Sequence, residues 1–143
     1  MRHRLTEGRS VDARVRVRYK ETDQMGIAHH ANYFAWFEIG RTDLCRAVGI
    51  SYREIEESGF LLVVTEIGCR YRIPFRYDDE VVIRTGVVTA SSRGMKFVYE
   101  LRSGDGATLH ASGFSAHLWL DRASRRPAPV RGAILDRFGP LLP

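Results

Sequence analysis

A single segment of this chain carries apolar residues at helical spacing over more than four turns, and the stretches on either side of it read as strands instead. Between Asn32 and Val48, the side chains of Phe34, Phe37, Leu44 and Val48, with Tyr33 and Trp36 beside them, form a wide apolar stripe. A helix over that span is ~25 Å long. Asn32 is the expected N-cap and Gly49 the stop. Ser51 and Glu54 have capping-box spacing for a short second helix through Glu57, ended by Gly59. Val11 to Tyr19 alternates apolar with charged residues, as a half-buried strand does. Phe60–Tyr71, Val81–Ala90, Met95–Arg102 and Ala107–Asp121 read as four long strands. Pro74, Tyr77, Asp78 and Asp79 lie in one connection, Ser91–Gly94 form a second, and Gly104-Asp105-Gly106 is a hairpin signal. One long helix must bury its stripe, and strands of about ten residues make a sheet of matching length. The expected architecture is α+β: a long central helix wrapped by a curved five-stranded antiparallel sheet. The opposite face of that sheet carries Arg16, Arg84 and Lys96.

The chain length of 143 residues suits one domain. The expected division is a flexible basic N-terminal tail over 1–10, a folded domain over 11–122, and an Arg/Pro-rich C-terminal tail over 123–143. The formal net charge of +5 favours anionic partners, although solvated ends account for much of it. No apolar run approaches the ~20 residues that span a bilayer, and Met1–Ser10 lacks a signal-peptide core, so a cytoplasmic location without stable membrane insertion is expected. Cys45 and Cys69 lack metal spacing and read as free thiols. No H-E-x-x-H, CxxC, P-loop or G-x-G-x-x-G is present, so neither a metal nor a cofactor is expected. Gly113-Phe114-Ser115-Ala116-His117 lacks the second glycine of a nucleophile elbow and falls in a strand. No nucleic-acid recognition motif accompanies the arginines, and the long helix is too apolar to lie in a groove.

The chemistry concentrates before the helix, in Lys20-Glu-Thr-Asp-Gln-Met-Gly-Ile-Ala-His-His-Ala-Asn32. A helix start offers unpaired amide N–H groups and a positive dipole end, which suit a polarised carbonyl or an oxyanion. Gly26 permits a sharp turn and a close approach to the backbone. Asp23 supplies a carboxylate that can attack an acyl carbon or deprotonate water. Each residue also has a plainer role open to it. Asp23 suits a turn cap, His30 a capping or core position, Tyr19 a core-facing strand position and Asn32 a helix cap.

The pattern Tyr19-x-x-Thr22-Asp23-x-x-Gly26-Ile27-x-x-His30-Ala31-Asn32-Tyr33, leading into Phe37-Glu38-x-x-Arg41-Thr42, resembles the signature of the 4-hydroxybenzoyl-CoA thioesterase family. Tyr71-x-x-Pro74-x-x-Tyr77-Asp78-Asp79 resembles a second element of that family. The resemblance runs from about Ala13 to Leu120 and implies a hotdog fold and hydrolysis of acyl-CoA thioesters. It implies catalytic roles for Asp23, His30 and Tyr19, and substrate contacts from Gly26, Ile27, Ala31 and Asn32. His29 departs from the family, which usually carries an aromatic residue there. Coenzyme A phosphates would need basic residues, and Arg93, Lys96 and Arg126 are the candidates. The resemblance also implies a homodimer, paired further into a homotetramer, with sites at the dimer interface. Two alternatives share the fold: a thioesterase acting on acyl carrier protein, and a non-catalytic acyl-CoA-binding domain.

Overall fold

A computed structural model of the chain describes residue 5 and residues 8–143. In chain order it contains β1 (Ser10–Arg16), a 3-10 turn (Tyr19–Glu21), α1 (Asn32–Ala47), α2 (Tyr52–Glu57), β2 (Phe60–Tyr71), β3 (Glu80–Ala90), β4 (Gly94–Ser103), β5 (Leu109–Asp121), α3 (Ala133–Asp136) and a closing 3-10 turn (Gly139–Leu141). The five strands form one sheet in the order β1-β3-β4-β5-β2, and every neighbouring pair is antiparallel. With α1 packed on one face, this is the α+β hotdog layout that the sequence implied.

The interface between α1 and the sheet explains the stripe. Tyr33, Trp36, Phe37, Gly40, Leu44 and Cys45 are its buried residues. On β4 the alternation is strict: Met95, Phe97, Tyr99 and Leu101 are buried beneath the helix. The Phe37 ring stacks on Tyr99 at 4.2 Å and 4°. Gly40 marks the closest approach. A Cβ there would lie 2.3 Å from Thr85 Oγ1 and 2.7 Å from Ile83 Cγ2. Removing a fully buried aromatic such as Phe37 would cost about 3–5 kcal/mol.

Several boundaries moved for identifiable reasons. The strand expected to reach Tyr19 ends at Arg16, whose partner Glu80 is the first residue of β3. Val17 still points inward, but Tyr19 has turned out and is 78% exposed. The strand expected from Ala107 begins at Leu109, because Gly106 (φ 77°) and the Ser103–Asp105 hydrogen bond fold residues 104–108 into the turn. Asn32 is not the N-cap. Ala31 occupies that position with helical dihedrals, and Asn32 is the first helical residue. The Ser51 cap accepts a bond from the Glu54 amide at 3.1 Å, as its spacing predicted.

Residues 1–4, 6 and 7 of the expected N-terminal tail lie outside the described residues. The Arg/Pro-rich segment 123–143 places Val130 and Phe138 fully inside the core. The Val130 amide donates to Ser92 O at 2.9 Å, and Leu120 bridges to Pro127. The face of the sheet away from α1 carries ion pairs, Arg14 and Arg16 with Glu80 and Arg84 with Asp12. Beside them Lys96 lies 5.1 Å from the centre of the Phe114 ring. No helix among the described residues is long and apolar enough to cross a membrane.

Candidate active site

The segment from Val17 to Ala31 is braced by backbone bonds at several points. Val17 N donates to Asp79 O, and Asp78 N donates back to Val17 O. Thr22 bridges to Ala28, and Ile27 bridges to Arg76. Asp23 N donates to Ile27 O at 2.9 Å, and Gly26 N donates to Asp23 O at 3.0 Å. That tight turn puts Gly26 at φ 78°, where a side chain would be strained.

Asp23 takes on the turn-capping role and retains an oxygen beyond it. Its Oδ1 accepts from the Met25 amide at 2.8 Å. Its Oδ2 has no hydrogen-bond partner among the described residues, and the side chain is half-buried.

The start of α1 is more committed than the sequence suggested. Asn32 N donates to His29 O at 3.1 Å, and Tyr33 N donates to His30 O at 3.2 Å. Among the described residues, the amides of His30 and Ala31 have no such acceptor. The expected oxyanion donors therefore narrow to these two. The Asn32 side chain is also occupied, since Nδ2 donates to Glu21 O at 2.8 Å and to His29 O at 3.0 Å. The His30 ring is exposed, 4.2 Å from the His29 ring and edge-on to Tyr71.

Tyr19 opens this loop, with its ring edge-to-face against Tyr77 at 5.6 Å. Tyr19, Met25, Tyr71, Ile73 and Tyr77 are all exposed. Arg93, Lys96 and Arg126 lie elsewhere. Arg93 O and Arg126 O accept from Trp119 N and Asp121 N, at the end of β5. β4 runs from there to Ser103, which pairs with Val81 beside the Asp23 loop. Ten residues of β4 separate the two ends, roughly 30 Å. Within one chain these bases and Asp23 are not brought together. A groove of about 1130 Å³ also lies away from Asp23, on the outer face of the sheet, lined by residues including Gly68, Arg70, Lys96 and Phe114.

Sequence reasoning assigned no role to two residues of the site. Glu21 is buried at 6% exposure beneath the loop. It accepts from Arg18 N at 2.8 Å and from Trp36 Nε1 at 3.3 Å, tying the loop to α1. Burial raises its pKa, but the bonds from Arg18 and Trp36 more than offset this and hold it below the usual carboxylate range. Tyr71 donates from its hydroxyl to His30 O at 2.9 Å. The only sequence signal was the place of Tyr71 in the second family-like element. Glu21 left none, because it reads as one charge in a polar loop.

A second serine–histidine arrangement lies inside the fold. Ser115 Oγ is 2.7 Å from His117 Nε2 and 2.5 Å from Tyr99 Oη. Ser115 is fully buried and His117 is 5% exposed. Burial, and then the positive charge of Arg41, push the His117 pKa down to about 4.

The sequence profile of the Thioesterase-like superfamily matches residues 17–138. The Bacillus subtilis protein YneP, provisionally named an acyl-CoA thioesterase, is 37% identical over 123 residues, covering 85% of this chain and 88% of that protein. The Acyl-CoA thioester hydrolase YbgC of Escherichia coli is 34% identical over 124 residues, covering 87% and 92%. Among solved structures, the DHNA-CoA thioesterase of Staphylococcus aureus superposes with a TM-score of 0.79 at 30% identity, covering 92% of this chain and 84% of that one.

Proposed function

This chain belongs to the thioesterase-like superfamily and is a thioester hydrolase, and from that premise we propose that it cleaves acyl or aroyl thioesters of coenzyme A through Asp23. The observation that carries the reading is the loop itself. One backbone-braced hairpin holds an uncommitted carboxylate oxygen on one arm and leads directly into the free amides of His30 and Ala31 on the other.

The Asp23 carboxylate acts on the thioester carbonyl carbon in one of two ways. As a base it takes a proton from a water molecule, which adds to the carbon. As a nucleophile it adds directly, giving a mixed anhydride that water then opens. In both routes the carbon–sulfur bond breaks, sulfur leaves as the thiolate and collects a proton, and the acid is released. Negative charge builds on the carbonyl oxygen, and the His30 and Ala31 amides with the helix dipole stabilise it. In this reading Tyr19 and the exposed His30 ring are the further catalytic candidates beside the loop, Gly26 lets the substrate approach the backbone closely, and Ile27 offers it an apolar contact.

The distant bases fit this reading through a second copy. β2 is an edge strand, with Val64, Thr65 and Glu66 exposed on it. Antiparallel pairing of two such edges would cover them. It would also set the Phe60 end of one chain, beside Asp121 and Arg126, near the Tyr71 end of the other. Arg126 would then serve the partner's site, and Arg93 and Lys96 lie at the same end of the sheet. A homodimer is the smallest assembly this predicts; pairing of outer sheet faces would give a homotetramer.

The test is a panel of acyl-CoAs of rising chain length and aromatic type, with released thiol read by a colorimetric reagent. Asp23→Asn keeps an acceptor for the Met25 amide and loses only the charge. Its turnover is expected to fall about 100- to 1,000-fold, the size of losing a key catalytic group, at an unchanged melting temperature. Full-rate cleavage by that variant would sink the reading. Sedimentation at micromolar concentration reads the oligomeric state.

A further inference from the structure

The two amides assigned to the oxyanion are each the reverse side of a carbonyl that a side chain grips. In a trans peptide unit the C=O and the N–H point in opposite directions across one rigid plane. The unit joining His29 to His30 carries His29 O on one side and the His30 N–H on the other. The Asn32 side chain donates to that oxygen at 3.0 Å. The next unit carries His30 O and the Ala31 N–H. The Tyr71 hydroxyl donates to that oxygen at 2.9 Å.

We propose that Tyr71 and Asn32 are positioning residues for thioester hydrolysis, which aim the Ala31 and His30 amide N–H groups by holding the carbonyl oxygens behind them. This rests on the reading of the site given above. The two side chains come from opposite directions. Tyr71 reaches in from the end of β2, while Asn32 also donates to Glu21 O at 2.8 Å and so joins the helix start to the arm bearing Asp23. The Tyr71 ring is itself fixed, packed at 4.8 Å on the buried Tyr33 ring. Partial burial, with the Cys69 thiol beside it, raises the Tyr71 phenol to about 12, so it remains a donor at any working pH. The main-chain amides of Asn32 and Tyr33 donate to the same two oxygens at 3.1 and 3.2 Å, so each side chain adds a second, shorter bond to its carbonyl.

The experiment uses Tyr71→Phe, which keeps the ring and removes the hydroxyl, beside Asn32→Leu, which is near-isosteric, stays neutral and removes the donor. Each is measured in the full chain with the acyl-CoA that the wild type cleaves best. The expected result is a roughly tenfold lower kcat for each, the effect of loosening rather than removing an oxyanion donor. KM should stay within twofold and the loss should be the same for short and long acyl chains. Tyr71→Leu should lose no more kcat than Tyr71→Phe even if its melting temperature drops. Wild-type kcat in Tyr71→Phe, or a rise in KM with kcat retained, would overturn the proposal. If the wild type cleaves thioesters and Asp23→Asn does not, that failure belongs to the positioning role alone. If the wild type cleaves none, the reading of the site falls and this role falls with it.

Discussion

The loop around Asp23 and the buried Tyr99–Ser115–His117 chain make an instructive pair. By distance alone the buried chain is the better catalyst, with its serine oxygen 2.7 Å from an imidazole nitrogen. Yet every group in it is sealed beneath α1, and the imidazole is held neutral by its surroundings. Asp23 makes one ordinary bond to a turn amide, stays half-exposed and keeps an oxygen unspent. A reacting group needs access and an uncommitted lone pair before it needs short hydrogen bonds. The tight chain is a polar staple across β4 and β5, and the looser loop is the one we propose as the site.

The widest gap between the two regions should appear in turnover. Asp23→Asn is expected to abolish most of it, whereas Ser115→Ala should leave kcat/KM within about twofold, since Ser115 Oγ is out of reach of any substrate. Comparable losses in both variants would erase the distinction. Next in size is the acid response. The folded His117 has a pKa near 4 against an ordinary 6.5, so between those values the unfolded chain binds the extra proton. Stability should be level above pH 6.5, decline as pH falls from 6.5 to 4, and lose up to about 3 kcal/mol from this group. Glu21, held below its ordinary 4.5, adds a further loss at lower pH. Denaturant titrations at pH 7.5 and 4.5 measure the decline, and His117→Gln should flatten it. Ser115→Ala then comes third. It strands the Tyr99 hydroxyl and the His117 nitrogen, and should cost about 1–3 kcal/mol in the same titration at pH 7.5. Smallest is Gly26→Ala in the loop, where φ 78° is the obstacle and no atom lies within 4 Å of the added methyl. About 1 kcal/mol is expected, and a neutral result would show that the turn relaxes freely.

Much of the layout was legible because it depends on periodicity. The stripe of α1, the strand over Met95–Arg102 and the Ser51 cap are local patterns, and each formed where its sequence placed it. Asp23 and Gly26 were legible as a turn for the same reason. What failed was what a distant residue decides. Asn32 has the chemistry of a cap, but a carbonyl eleven positions earlier claims its side chain. Tyr19 continues the alternation of β1, but β3 offers no partner past Glu80 and the ring turns to the surface. Val130 and Phe138 were hidden by the arginines and prolines around them, since average composition says little about individual anchors. The bond from Tyr71 to His30 O spans 41 positions, and no spacing rule reaches that far. Arg93, Lys96 and Arg126 were chosen by charge and by their places at a strand turn and after the last strand, and neither says how far a residue lies from Asp23.

The closeness of α1 to the sheet has one more consequence. At Gly40 a single hydrogen on Cα separates the helix from Thr85 and Ile83, and the start of α1 at Asn32 lies about 12 Å further along the same rod. That hydrogen works as a fulcrum. A methyl group there would force the helix and sheet apart, and the start of α1, with the amides proposed to face the substrate, would be expected to shift with it. Under the proposed reading, the clearance at Gly40 therefore helps set where the His30 and Ala31 amides sit.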